Sequence, residues 1–446
     1  MRYWSAPGQE DVTDASAQTE PRGQAPSRAQ TQPPATTDVA AERSTVYTLR
    51  RTMVVAVVTR LATAAVALAA TYALGVRPAP WAHRLPRLAE PFHGVLAHLL
   101  NPWAVWDGVW FIKISANGYA ANDGSVAFFP LYPLVTRWVG ILFGNNLVLA
   151  GMTVSLVCYF VGVWLLFRLV EREFGDRIAY RTCLYLSIFP TAFFWQAVYS
   201  ESMFLALSVA CILWSREGRW KLAGLAGLAA ALTRSAGFLL IVPMAISYLE
   251  QHDWRPSGAD SDAASLLMIP EGLMVWMAYL ALSFGRPLLF AQAQEQWKRS
   301  LAVPTYALWK GLVAGVQGAR QLLSGQTAHE YWPAPDPGAV MPLAAANVIN
   351  LGAVAFAIAF IVYGLKRLPI VFGTYAAVTV GYPLLFPAES SPFMSMPRFI
   401  LAAFPIFMAL AVATDRRPRT HIVVCTIFVI GLILLTAKFA IFSWVA

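Results

Sequence analysis

The stretch LVLAGMTVSLVCYFVGVWLLFRLVEREFGDRIAYR, Leu147 to Arg181, decides how this chain folds. Leu147 to Leu169 is a continuous apolar run, and ~20 such residues cross the hydrocarbon of a bilayer as a helix. The run ends in REFGDRIAYR, Arg172 to Arg181. Clustered arginines mark the cytoplasmic flank of a span. Leu147 therefore starts on the outer side, and the neighbouring segments take their direction from this one. The apolar runs are unbroken rather than alternating, which argues against a membrane β-barrel.

The whole chain agrees. Of 446 residues, 58% are hydrophobic and only 13% charged, where a soluble domain carries roughly 25% charged residues. The expected class is an all-α polytopic membrane protein. The net charge of +9 is that of basic cytoplasmic loops, and no basic-aromatic module for nucleic acid is present. Cys158, Cys183, Cys211 and Cys425 all lie in apolar runs and read as small buried hydrophobes. The histidines are scattered; His93 and His98 lack the i,i+4 spacing of a zinc site.

Working outward gives the organisation. Residues 1–45, rich in Ala, Gln, Thr, Pro and Ser, are expected to be a disordered cytoplasmic tail. Residues 46–446 form the polytopic domain. A first span, about Met53 to Leu74, follows the cations of LRR, Leu49 to Arg51. Residues 75–146 then make a long first extracytoplasmic loop. It holds the amphipathic PFHGVLAHLL and an interfacial or re-entrant piece from Phe128 to Phe143. Later spans run Tyr180–Val198, Met203–Ser215, Leu222–Leu249 as two short helices meeting at TRSAG (Thr233 to Gly237), and Leu266–Phe284. After a second long extracytoplasmic segment, 286–340, come Met341–Leu365, Pro369–Phe386, Phe399–Ala413 and Ile422–Trp444. The total is roughly eleven spans, within a range of about nine to twelve.

Charge inside or beside a membrane is costly and marks function. Asp107, Glu201, Arg234, Glu389 and Arg398 all fall on the outer side of this topology, with Lys298 and Arg299 joining from the long segment. Asp107 sits between Trp106 and Gly108; apolar burial raises a carboxyl pKa toward that of a general base, and the same residue equally suits a cap for the helix GVWFIKIS. Asp123 before Gly124 reads as a turn residue. Glu201, in YSES, has a capping role and a sugar-binding role open to it in equal measure, with Tyr199, Ser200 and Ser202 as further hydrogen-bonding groups. Arg234 fits an ion pair with Glu201 or Asp107. Arg398 fits either phosphate recognition or a side chain reaching to headgroups. Trp103, Trp106, Trp110, Tyr119, Phe128, Phe129, Tyr132, Trp297 and Tyr331 form an outer aromatic belt from which some members are available to stack on a sugar. No phosphate-binding glycine loop, nucleophile elbow or metal cluster is seen. A transporter or lipid flippase is the rival reading.

WDGVWFIKISANGY, AFFPLYPL, YSESMF, TRSAG and MPRFILAAFP, in this order, resemble the PIG-V family of mannosyltransferases, a branch of the GT-C glycosyltransferases. The resemblance runs from about residue 50 to the C-terminus and is weaker over 286–340, where AQAQEQWKR is its best part. It implies a GT-C architecture in the cell membrane, with the site on the extracytoplasmic face. It also implies a polyprenyl-phosphate-mannose donor, inversion at the anomeric carbon, and a glycolipid, lipoglycan or protein acceptor. Under it Asp107 is the general base, Arg398 and Arg234 bind the donor phosphate, and Glu201 orients hydroxyls. Tyr199, Ser200, Trp106, Tyr132, Trp297 and Lys298 complete the sugar and acceptor site. The lipid-linked sugar is a substrate; no cofactor is expected, and metal dependence stays open.

Overall fold

The computed structural model describes residues 36–76, 89–255, 261–325 and 340–443. Most of the expected tail, and the YWPAPDPG stretch with Tyr331, lie outside these residues. Met1–Ser44 and Thr45–Ala446 are separate units. Of the first, only the opening turns of one helix are described; the second holds all the other described residues.

The described residues are helical, with one isolated β-bridge and no strand. The principal helices are α1 Thr36–Leu74, α2 Asp107–Asn117, α3 Leu131–Gly140, α4 Leu147–Phe174, α5 Asp176–Ile188, α6 Glu201–Arg216, α7 Trp220–Thr233 and α8 Ile241–Gln251. They continue as α9 Met268–Phe284, α10 Pro304–Ser324, α11 Val340–Arg367, α12 Ile370–Gly381, α13 Met396–Ala402, α14 Pro405–Thr414 and α15 Pro418–Ala440. α1 begins at Thr36, inside the stretch expected as tail.

Among the described residues, five helices are long and apolar enough to cross a bilayer alone: Ser44–Leu74, Leu147–Phe174, Asp262–Phe284, Met341–Arg367 and Pro418–Ala440. The pair α13 and α14, bent by 82° where Pro405 starts the second helix, makes a sixth if counted as one span. The other expected crossings are the short helices α5, α6, α7, α8 and α12. The longest of them, α6, has 16 residues, about 24 Å at 1.5 Å per residue against ~30 Å of hydrocarbon. The expected count of eleven includes these helices, each shorter than that thickness. α3, with ten residues, is too short to cross; Leu134, Trp138 and Leu142 face outward on it and its 3₁₀ extension.

Non-helical backbone at membrane depth is tolerated only where it is buried in protein or lines a cavity. The break between α5 and α6, residues 189–200, meets that demand. Pro190 interrupts the helix, and Phe193, Trp195, Ala197 and Val198 are wholly buried. Its backbone groups are satisfied from elsewhere. Arg60, mid-way along α1, donates Nη2 to the Ser187 carbonyl at 2.9 Å and Nη1 to that of Ala192. The Val198 N–H donates to the Trp103 carbonyl at 2.8 Å. Ser202 Oγ donates to Trp195 O, and Ser155 Oγ to Tyr199 O. The break delivers Tyr199, Ser200 and Glu201 at a fixed depth.

The two ends of the bundle differ in chemistry. At one end Arg216 pairs with Glu173 and Glu250 at 2.9 and 3.2 Å, Arg177 pairs with Asp415 at 3.0 Å, and Arg51 lies over Tyr180. These contacts gather the loops between α4 and α5, α6 and α7, and α14 and α15. The starts of α2, α6 and α13 and the ends of α7 and α12 meet at the opposite end.

One element has no counterpart in the sequence reading. α10 runs through the segment expected as a loop. Gly311, Gly315 and Gly318 are buried; Gly315 and Gly318 lie against Leu351 and Ala344 of α11, and Gly311 lies against the Phe393 ring. Trp309, Leu312 and Leu323 are exposed on the outside.

Candidate active site

Asp107 is the first residue of α2, where a carboxylate meets the favourable end of the helix dipole. Trp106 before it has φ 55°, a left-handed conformation that is rare for a bulky residue. The same backbone feature recurs twice. Lys298, φ 52°, precedes Arg299, and Ser395, φ 67°, accepts at its carbonyl from the Arg398 N–H at 3.0 Å. Backbone strain of this kind collects at functional sites, and three of the seven such non-glycine residues in the described chain stand at the charged residues of one cavity.

Arg398 is the centre of the arrangement. Its Nη1 donates to Asp107 Oδ2 at 2.5 Å and its Nε to Glu201 Oε1. Its Cζ lies 4.9 Å from the centre of the Tyr199 ring. Glu201 Oε1 also takes Arg234 Nη1 at 2.6 Å. Tyr199 ties this group to α2: its hydroxyl donates to Val105 O at 2.9 Å and accepts from the Asp107 N–H at 3.2 Å. The side chain of Glu201 is 1% exposed and that of Asp107 27%. Glu201 is thus a buried anchor for two arginines, while Asp107 keeps an open side. Arg398 is 11% exposed and held on two sides, so it is not a side chain reaching out to headgroups.

These groups border a cavity of about 280 Å³, near the low end of the ~300–1,000 Å³ usual for small-ligand clefts. Asp107, Arg234, Arg299 and Arg398 bring the charge; Trp106, Trp110, Phe128 and Trp297 wall one side, and Phe204, Tyr382, Phe399 and Phe439 the other. Trp297 meets Trp110 and Phe128 edge-on, with ring centres 6.2 and 5.7 Å away. Counting Glu201 just beneath, three arginines face two carboxylates, an excess of one positive charge. Among the described residues no group of three His, Cys, Asp or Glu side chains converges to hold a metal.

Of the expected site residues, Asp107, Tyr199, Ser200, Arg234, Trp106, Trp297 and Arg398 line the cavity, with Glu201 behind them. Three expected residues do not. Tyr132 is wholly buried, its hydroxyl bound to Gly151 O and Ser155 Oγ at 2.9 Å, and it packs on Phe111 as core. Lys298 and Glu389 are exposed and outside the lining. The left-handed turn at Lys298 directs its neighbour Arg299 to the cavity instead. Asp123 is a turn residue: its Oδ1 accepts from the Ser125 N–H at 2.9 Å and its Oδ2 pairs with Lys113 at 2.6 Å. Phe439, from the last helix, was not singled out in the sequence; nothing local marks a phenylalanine in an apolar run as a cavity wall.

Residues 83–252, which hold Asp107, Glu201 and Arg234, match the family described as mannosyltransferase (PIG-V). Over this stretch the chain is similar to the PIG-V mannosyltransferases. GPI mannosyltransferase 2 of Drosophila pseudoobscura pseudoobscura is 27% identical over 191 residues, 39% of this chain and 41% of that protein. GPI mannosyltransferase 2 of Drosophila melanogaster is 30% identical over 161 residues, 33% of this chain and 36% of that protein. The alignments span less than half of either relative, and the family match ends at residue 252, before Arg299 and Arg398. A crystal structure of an oligosaccharyltransferase from Archaeoglobus fulgidus, in complex with zinc and sulfate, aligns with 72% of this chain and 45% of its own, at 14% identity and a TM-score of 0.40.

Proposed function

We propose that this chain is a membrane mannosyltransferase of GT-C type. It transfers mannose from a polyprenyl-phosphate-mannose donor to a glycolipid, lipoglycan or protein acceptor at the extracytoplasmic face of the cell membrane. The observation that carries the reading is the carboxylate of Asp107, open to an aromatic-walled cavity whose surplus charge is positive. A sugar ring suits the aromatic walls, a phosphate suits the surplus charge, and a hydroxyl acceptor needs a base. The cavity admits only the head of such a donor, so the lipid chain stays in the bilayer.

In this mechanism the acceptor hydroxyl gives its proton to Asp107. The acceptor oxygen forms a bond to the anomeric carbon from the face opposite the phosphate. The bond from that carbon to the phosphate oxygen breaks, and its electron pair leaves with the prenyl phosphate. One attack from the far face inverts the centre. Asp107 Oδ2 is held by Arg398; Arg398 keeps the carboxylate oriented, and Oδ1 is the oxygen available for the proton. Glu201 keeps Arg398 and Arg234 in register. The positive-inside rule supports a cytoplasmic position for the end that carries the arginine-rich loops, and with it an outward-facing cavity.

The test is transfer by the purified chain. With a β-linked polyprenyl-phosphate-mannose and a lipid extract as acceptor source, it should release prenyl phosphate and yield an α-mannoside, read by mass spectrometry and NMR. Hydrolysis without transfer, or a β-product, would reject the inverting mechanism.

A further inference from the structure

The three cavity arginines differ in what they hold. Arg398 and Arg234 each grip a carboxylate. Arg299 donates Nη2 to the Met394 carbonyl at 3.3 Å, and its Cζ lies 5.8 Å from the centre of the Phe399 ring. Among the described residues it has no carboxylate partner. A half-buried cation that no carboxylate pairs directly is costly to hold. Burial draws its pKa down to about 10, with Asp107 opposing that fall and Arg398 adding to it, so it is still a cation at neutral pH. The chain fixes it in place. Arg299 forms an antiparallel bridge with Ala388, the Ala302 N–H donates to Leu385 O at 2.8 Å, and the Glu389 N–H donates to Lys298 O at 3.3 Å. Two extracytoplasmic loops are clasped together at this point, and the left-handed Lys298 sets the side on which Arg299 emerges.

We propose that Arg299 is the principal anchor of the donor phosphate, and that Arg398 and Arg234 serve chiefly to hold and orient the two carboxylates. The proposal deepens the glycosyltransferase reading and rests on it. A prenyl-phosphate sugar is a diester with one negative charge, which the surplus positive charge of the cavity balances. When the bond to the sugar breaks, its electron pair stays on the phosphate and the leaving group gains charge. A guanidinium fork that is not already committed to a carboxylate meets two phosphate oxygens at once.

The experiment is direct binding by the detergent-solubilised full chain, using a polyprenyl monophosphate with the uncharged polyprenol as control, read by titration and by ligand-induced thermal stabilisation. The wild type should prefer the phosphate. Arg299→Gln should weaken the phosphate ~10- to 100-fold and leave polyprenol unchanged, without lowering the melting temperature of the ligand-free protein. Lys298→Gln should behave as wild type. Arg299→Lys, which keeps the charge and loses the fork, should fall between wild type and Gln; if the Gln variant does not fold, Lys binding as tightly as wild type overturns the proposal and weaker binding supports it. Unchanged phosphate binding by Arg299→Gln, or equal weakening toward polyprenol, overturns the role of Arg299 alone. A wild type that does not distinguish phosphate from polyprenol fails the donor reading itself.

Discussion

At the scale of residues, the site is a balance of committed and uncommitted charge. Glu201 is the most committed: nearly fully buried, it holds Arg398 and Arg234 through one oxygen. Removing one partner of a buried ion pair costs about 3–5 kcal/mol because the other charge is left uncompensated. Glu201→Gln is therefore expected to lose stability of that order, measured by unfolding in detergent, whereas a residue that only touched substrate would lose activity and leave unfolding unchanged. The sequence made Asp107, Glu201, Arg234 and Arg398 legible because charge in an apolar chain is rare and the alternation of basic loops assigned each to one side. It named Lys298 for the site, whereas the cavity is lined by its neighbour Arg299. The difference depends on a left-handed φ at Lys298, and Lys carries no signal for it as Gly would. Tyr132 failed for a related reason: a tyrosine at a membrane edge suits an aromatic belt as well as a core with two hydrogen-bond partners.

At the scale of elements, short helices and their breaks build the site. Glu201 opens α6 because the chain cannot remain helical through residues 189–200, and Arg60 satisfies two carbonyls there. Arg60 has no role in the sequence reading, although a cation in the middle of an apolar run is the usual flag; the run around it looked complete as a span. Arg60→Met should cost ~1.5–3 kcal/mol in stability, the worth of hydrogen bonds from a charged donor. It should also weaken donor binding, since the segment it caps carries Tyr199 and Glu201. Stability and binding both equal to wild type would show that the break is held by its aromatic packing alone. The long helices α1, α4, α9, α11 and α15 were legible from their apolar length. α10 was not: it lies within 286–340, expected as a long extracytoplasmic segment, and its glycines become a close-packing surface only where Gly315 and Gly318 meet α11 and Gly311 meets Phe393.

At the scale of the molecule, the bundle keeps two unlike ends. Ion pairs lock the basic end, and the cavity at the other end is the place where charge stays partly open. A transport path would need comparable open charge running toward both ends, and the cavity-lining charges gather at one. The central claim is that Asp107 takes the acceptor proton in sugar transfer. The direct measurement is the turnover of purified Asp107→Asn with polyprenyl-phosphate-mannose, beside wild type and with donor binding measured in the same preparations. Donor binding should persist and turnover should fall by ~10²–10⁴-fold, the usual contribution of a general base. Turnover equal to wild type in the Asn variant would contradict that claim.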